Sequence, residues 1–387
     1  MVTLSNAEKA LKTFYLDVVT DQLNTKINPF LAKMEKTASN VYGNEIRKRV
    51  SYALNGGISA CDEGGDLPIA AAPNYQEFVA KLKNLYGTLE ISDKAIRATE
   101  TNSGAFVSLL EAEVESLLTA AKFHFGRMLM GLETGVLAKV VSFTGNYITV
   151  DSVRNFMEGM IIDVIDDGTN VKKLSSRRIT EVDRTNTRIK IDGSALGTGA
   201  IAEDNCVVMQ GSYCRELIGL GSIFGTSTSL YGLSRVANKW ISPYKTNSSE
   251  ISDVIIQKAM DGISDTAMTD VDLLICSPGV RRAYQDYLIT NKANVDYVDL
   301  NGYKAISVGG TPLVADRFCN EGRLYLLNTK HFALHQLCDW RWLEGDDGSV
   351  LKQMPGKAAY TATLVKYAEM LCSRPNAQGC IDGITEA

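Results

Sequence analysis

Apolar positions along this chain change period several times, and each change marks an element. Residues 6–25 place Leu11, Phe14, Tyr15, Val18 and Val19 on one helical face. A helix of that length needs a partner to cover its stripe, and Asn28-Pro29 ends it. The pattern fits equally a helix packed on its own domain and an arm reaching toward a neighbour. Residues 45–54 and 76–91 are strand-like runs. Between them stand Gly56-Gly57, Gly64-Gly65, Pro68 and Pro73, a density that no packed core element tolerates. Together they predict a long hairpin with an irregular, mobile tip. A hairpin without a third strand is marginal by itself, so a second molecule is expected to cover it.

The clearest helical signal covers residues 103–130. Phe106, Leu110, Val114, Leu117, Ala121 and Met128 follow one stripe, and Asn102 is placed to cap the N-terminus. Glu111, Glu113 and Glu115 fall in the first half and Lys122 and Arg127 in the second, the order that suits the helix dipole. Such a helix is about 40 Å long at 1.5 Å per residue and is expected to be a backbone for the fold. From 140 to 212 the pattern turns to short strands. Residues 160–165 run into the turn Asp166-Asp167-Gly168, the strands 178–183 and 188–192 are joined across 184–187, and Val207-Val208-Met209 closes the series. A small antiparallel barrel or sandwich of about 70 residues fits this count. Beyond 212 the chain is mixed. Helices are expected at 250–263 and 280–288, and a buried strand at 271–276 ends at Ser277-Pro278-Gly279. Further strands are expected at 313–314, 324–327, 332–343 and 360–371. The reading is an α+β chain, without internal repeats.

Composition narrows the class. With 387 residues, 45% of them hydrophobic and 22% charged, the chain is an ordinary folded one, long enough for two or three subdomains. A net charge of -5 argues against a coat that neutralises phosphates, and suits a surface that faces nucleic acid without gripping it. The eight cysteines show no C-x-x-C spacing and read as reduced and mostly buried. The N-terminus lacks the apolar region of a secretory signal, and no run of about 18 apolar residues is present to span a membrane. The sequon at Asn247-Ser248-Ser249 is then a chance match.

Candidate chemistry is sparse. Of the three histidines, His331 and His335 are four apart with Cys338 three further on, a metal-ligand spacing if the segment were helical. The segment looks like strand, which spreads the three apart, and His124 reads as a packing residue in the long helix. The run Gly219-Leu220-Gly221-Ser222-Ile223-Phe224-Gly225 has its third glycine one place late for a dinucleotide fingerprint and lacks the nucleophile-elbow spacing. There is no P-loop, no H-E-x-x-H, and no calcium loop among Asp163, Asp166 and Asp167. Arg47-Lys48-Arg49 and Arg177-Arg178 are short basic clusters without interleaved aromatics, and read as solvated strand faces. No catalytic, cofactor-binding or metal residue is assigned and no cofactor is expected. The enzymatic alternative is a hydrolase using His331 or His335.

One resemblance covers nearly the whole chain. Asn28-Pro29-Phe30-Leu31 leads to Val41-Tyr42-Gly43, then Gly56-Gly57, Glu63, Leu67-Pro68, Tyr75, Leu85-Tyr86 and Ile91-Ser92-Asp93-Lys94. The long helix follows, and then Gly131-Leu132-Glu133-Thr134-Gly135. This order resembles the arm, extended hairpin and spine helix of tailed-phage major capsid proteins, the Hong Kong ninety-seven type of shell fold. Gly309-Gly310-Thr311-Pro312-Leu313-Val314-Ala315-Asp316 and the last long strand with Arg374-Pro375-Asn376-Ala377 resemble segments of the same proteins. Residues 159–211 are similar to a small barrel inserted in some members. The resemblance implies an N-terminal arm (1–43), an extended hairpin loop (44–99) and the spine helix of a peripheral domain (100–139). It further implies an inserted β-barrel domain (140–212), an axial domain (213–324) and C-terminal strands of the peripheral domain (325–387).

The implied function is a major capsid protein, not an enzyme. It would assemble as hexamers and pentamers into the icosahedral head around the double-stranded DNA genome of a tailed phage. Implied partners are copies of itself, a portal protein, a decoration protein, and packaged DNA contacted without sequence specificity. A separate scaffold protein is also expected, because the sequence begins almost at the arm. No membrane is involved; the place is the virion capsid, assembled in the bacterial host cytoplasm. Some relatives cross-link a hairpin lysine to a neighbour's asparagine, but Lys81 and Lys83 fall on a strand limb and no cross-link is predicted. The alternative on the same fold is an encapsulin-like bacterial nanocompartment shell.

Overall fold

The computed structural model describes residues 29–53, 55–69, 74–94, 103–291, 297–300, 303–345 and 348–387. The helix expected at 6–25 and the Asn102 cap lie outside them. The chain opens with α1 (Pro29–Lys33), β1 (Glu35–Thr37), β2 (Val41–Tyr42) and β3 (Glu45–Ser51), followed by β4 (Tyr75–Lys81) and β5 (Lys83–Ser92). The run expected as one hairpin limb is therefore two strands in two different sheets. β3 pairs antiparallel with β4, Glu45 opposite Lys81, and β2 adds a third strand on the far side of β3. β5, after a break at Leu82, joins the strand near the C-terminus described below. The inward positions are even from Gln76 to Leu82 and odd from Lys83 to Ile91, so the alternation slips by one residue where the partner changes.

The spine helix α2 (Ser103–Met130) has the expected bounds, but its buried face is rotated from the one expected. Val114, Leu118, Phe125 and Leu129 are buried, while Leu117, Ala121 and Met128 are half-buried at its edge. The side chains of Phe106 and Leu110 lie outside the described residues. Leucines at both 117 and 118 and alanines at 120 and 121 make the stripe broad, and the neighbours decide which part of it is covered.

A closed antiparallel barrel follows, with strand order β10-β7-β6-β11-β8-β9. Its strands are β6 (Val136–Thr144), β7 (Tyr147–Val150), β8 (Ile161–Asp166), β9 (Val171–Asp183), β10 (Arg188–Ile191) and β11 (Cys206–Met209). The first strand starts four residues before 140, directly after the spine helix. Turn chemistry sets the hairpins. Asp166 Oδ1 accepts from the backbone N–H of Gly168 and Thr169, and Asp183 Oδ1 accepts from Thr185 and Asn186. Inside, Asp163 is buried and accepts from Lys172 Nζ at 2.7 Å and from the N–H of Ser176 and Gly211 at 2.9 Å. Burial raises its pKa, but these donors outweigh it and hold the carboxyl below its ordinary value.

The remainder runs α3 (Leu220–Ile223), β12 (Ser229–Leu230), β13 (Leu233–Ser234), β14 (Tyr244–Asn247), α4 (Asp253–Ala267), β15 (Leu273–Cys276) and α5 (Pro278–Thr290). It continues with β16 (Tyr297–Leu300), β17 (Tyr303–Val308), β18 (Thr311–Ala315), β19 (Leu324–Leu327), β20 (Phe332–Trp342), β21 (Lys352–Gln353), β22 (Ala359–Cys372) and β23 (Gly379–Asp382). Ser252 and Ser277 cap α4 and α5, each side chain accepting from the N–H three residues on. Those helices cover one face of a seven-stranded sheet, β14-β23-β19-β15-β18-β17-β16. Residues 325–387 are thus divided between two sheets. β23 returns to this sheet between β14 and β19, since the apolar Cys380 and Ile381 are buried there. The other major sheet holds β1-β20-β22-β21, with β5 on β22 from Lys83 opposite Ala368 to Ser92 opposite Ala359. The spine helix packs on it through Phe125 against Trp340 and Leu117 against Gly87. Among the described residues no helix is long and apolar enough to cross a membrane.

Candidate assembly surface

The hairpin is rigid at its base and open at its tip. At the base, Trp240 stacks on Phe78 with 5.8 Å between centroids and on Tyr52 with 5.1 Å, and Phe78 also meets Tyr231 at 5.3 Å. The N–H of Val79 donates to Tyr231 O at 3.0 Å, and the Cys372 N–H donates to the Tyr231 hydroxyl at 3.0 Å. A ladder thus ties the hairpin through Tyr231 to the core of the β22 sheet. Past Ser51 the picture reverses. Residues 55–69 contain no strand, and within them the only backbone–backbone bond among the described residues is Gly65 N–H to Asp62 O. Ile58, Leu67 and Ile69 are 87%, 86% and 89% exposed. Three large aliphatics left in water on one loop are the kind of surface that marks an interaction site. Burying each fully is worth about 2 kcal/mol.

A second open edge lies at β16, the last strand of the seven-stranded sheet, where Tyr297 is 60% exposed and Val298 is also exposed. Sheet edges with unpaired N–H and C=O groups are templates for a further chain.

Buried polar side chains cluster at the end of the spine helix and on β22. Arg127, in the last turn of α2, donates to both carboxylate oxygens of Glu216 at 2.8 and 2.6 Å, and the two side chains are 4% and 1% exposed. Glu369, on β22, is fully buried; one oxygen accepts from the N–H of Ile218 and Met370 at 2.8 and 2.9 Å. Burial pushes this carboxyl up to about 8, against the opposing pull of those donors and of Lys83. Lys366, also fully buried, donates to Gln336 and Asp339 under the rings of Phe125 and Trp340. Burial lowers its pKa while Asp339 raises it. Sequence reading missed all three groups, and only the lone Arg127 at a helix end was noticed.

The histidines are dispersed. His124 is half-buried in α2, where desolvation, helped by Arg127, lowers its pKa to about 4. His335 lies on β20 with Nδ1 2.9 Å from Ser39 O. His331, in the short turn before β20, has Nδ1 3.5 Å from Ser373 Oγ, but that hydroxyl donates to the carbonyl of His331 itself. Asp272, the carboxylate whose field reaches His331, is held by the N–H and hydroxyl of Thr329. Among the described residues no three His, Cys, Asp or Glu side chains are grouped to hold a metal ion.

No protein-family model and no curated protein sequence matches the chain. Solved structures do. The capsid asymmetric unit of cyanophage A-1(L) aligns over 97% of this chain and 94% of that one, at 12% identity and a TM-score of 0.54. The capsid of an empty GTA particle aligns over 92% and 90%, at 10% identity and 0.48. The holo-SrpI encapsulin complex of Synechococcus elongatus aligns over 93% and 89%, at 10% identity and 0.45. The chain therefore has the shell fold of tailed-phage capsid proteins, the Hong Kong ninety-seven type, with a closed six-stranded barrel inserted in it.

Proposed function

We propose that the chain is the major capsid protein of a tailed phage, assembling as hexamers and pentamers into the icosahedral head around the double-stranded DNA genome. The observation that carries this reading is the hairpin. A chain of this fold clamps the hairpin base with Trp240 and Tyr231, yet leaves Ile58, Leu67 and Ile69 in water at the tip. A rigid base and an uncovered apolar end suit a loop that finishes folding on a neighbouring copy. In this reading residues 44–99 lie across the adjacent subunit, 213–324 with β23 face the symmetry axes, and α2 with the β22 sheet forms the peripheral domain. The barrel is a contact surface on the outside, for local symmetry axes or a decoration protein. Portal and scaffold proteins complete the assembly in the host cytoplasm, and packaged DNA meets the wall without sequence-specific contacts. No catalytic, cofactor or metal residue enters the reading.

Negative-stain electron microscopy of the purified chain, alone and with the products of its neighbouring genes, tests this. Closed shells, or rings of five and six, are expected from the unaltered chain. I58S/L67S/I69S should keep its thermal transition and lose assembly. A monomer or dimer under every condition would overturn the reading. A cargo enzyme filling the shells in place of DNA would move it to a nanocompartment.

A further inference from the structure

The glycine run 219–225 ends at an open surface pocket. It measures about 480 Å³ and opens between residues 225–228, Arg235 with Val236, and Ser242, Pro243 and Lys245. Two cations point at the carbonyls that end α3. Arg235 Nη2 donates to Ser222 O and Ile223 O at 2.9 and 2.7 Å, and Lys245 Nζ donates to Phe224 O and to Gly225 O. Those carbonyls satisfy donors but carry no net charge. No carboxylate pairs with either cation among the described residues, and no acidic side chain lines the cavity. Asp382, the one carboxylate whose field reaches Lys245, is committed to Arg323. Burial lowers the pKa of both cations, and the charge of Arg235 adds to the lowering at Lys245 while Cys380 and Asp382 oppose it.

The remaining lining is Val236, Pro243 and a set of hydroxyls, of which that of Ser227 donates to Ser229 O. The hydroxyls of Thr226, Thr228 and Ser242 make no hydrogen bond among the described residues, and they stand beside the two cations in the same cavity. Two positive charges with several neutral donors match a group that carries up to two negative charges and only acceptor oxygens. A planar carboxylate offers one charge and fewer acceptor sites. The volume also exceeds what a single tetrahedral anion fills, which leaves space for whatever the anion is attached to.

We propose that this cavity binds a phosphate group, held by Arg235 and Lys245 and by the hydroxyls of Thr226, Thr228 and Ser242. The group is either free phosphate or the backbone phosphate of a nucleic acid, and the inference stands independently of the shell reading. Phosphorus NMR titration of the purified full chain with inorganic phosphate, at ionic strength fixed with chloride, is the test. A parallel arm follows a labelled short duplex DNA by fluorescence anisotropy. One saturable site per chain is expected in at least one arm. Lys245→Gln and Arg235→Gln should each weaken it at least tenfold, and Arg184→Gln on the barrel should leave it unchanged. Both cations also hold the end of α3, so T226V/T228V/S242A provides the variant that leaves those bonds intact, and it should weaken binding several-fold. Duplex that is displaced by phosphate and lost in the same variants assigns a nucleic-acid backbone; phosphate bound with duplex excluded assigns the free anion. Absence of saturable binding in both arms, binding indifferent to all these variants, or saturation by acetate in preference to phosphate each overturns the proposal.

Discussion

Removing Arg127 should unfold this protein far more easily than its place near a helix end would imply. Its guanidinium and the carboxylate of Glu216 form a two-pronged pair, 2.8 and 2.6 Å, with 4% and 1% of the side chains exposed. An Arg127→Met substitution leaves the Glu216 carboxyl buried without its partner beside Gly135, where a Cβ would lie 2.9 Å from the carboxylate carbon. Breaking one partner of such a pair costs about 3–5 kcal/mol, a large share of the roughly 5–15 kcal/mol by which a domain is stable. The reverse truncation, Glu216→Leu, strands the arginine and should cost a similar amount. Replacing both, R127M/E216L, removes both desolvation costs and should recover most of the loss, giving a coupling larger than either single loss. Urea titration of the unassembled chain, followed by fluorescence of Trp240, Trp340 and Trp342, measures all four corners of the cycle. A loss below about 1 kcal/mol for R127M, or a double variant as unstable as the sum of the singles, would refute the account.

Three further outcomes follow from other parts of the fold. Gly219→Ala should cost about 3 kcal/mol, because the added Cβ would meet the backbone oxygens of Met128, Gly131 and Leu129 at 2.3, 2.6 and 2.9 Å; Gly197→Ala, with nothing within 4 Å, should change the urea midpoint little. Trp240→Ala should release the hairpin base at about 2–3 kcal/mol, seen as faster limited proteolysis of residues 52–81 with the barrel still intact. Glu369 titrates near 8 when folded and near 4.5 when unfolded, so the unfolded chain binds fewer protons in between. Its stabilising share is complete below pH 4.5 and falls as pH rises toward 8, by on the order of 5 kcal/mol. Glu369→Gln keeps an acceptor for the N–H groups of Ile218 and Met370 and should flatten that part of the stability profile; an unchanged slope in calorimetry would refute the assignment.

The sequence by itself determined the elements whose signals are local. The ends of α2 and the barrel turns at Asp166 and Asp183 are written in residues within four positions of each other. The caps Ser252 and Ser277 went unread, and helices expected at 250–263 and 280–288 form at Asp253–Ala267 and Pro278–Thr290. The hairpin tip was legible too, because glycine and proline at that density exclude a core element whatever surrounds them. What the tertiary structure decided is which partner covers each apolar face. Alternation along 76–82 and again, one residue out of phase, along 83–91 shows which sides are buried, but only packing reveals that β4 pairs with β3 and β5 with β22, some 270 residues away. The broad stripe of α2 could turn either edge inward, and Trp340 on β20 settles it. Arg127 alone looked like a cation placed for the helix dipole; its bond to Glu216, 89 residues on, makes it a buried charge. Local chemistry fixes backbone conformation, whereas burial and electrostatics depend on contacts between segments that the sequence leaves far apart.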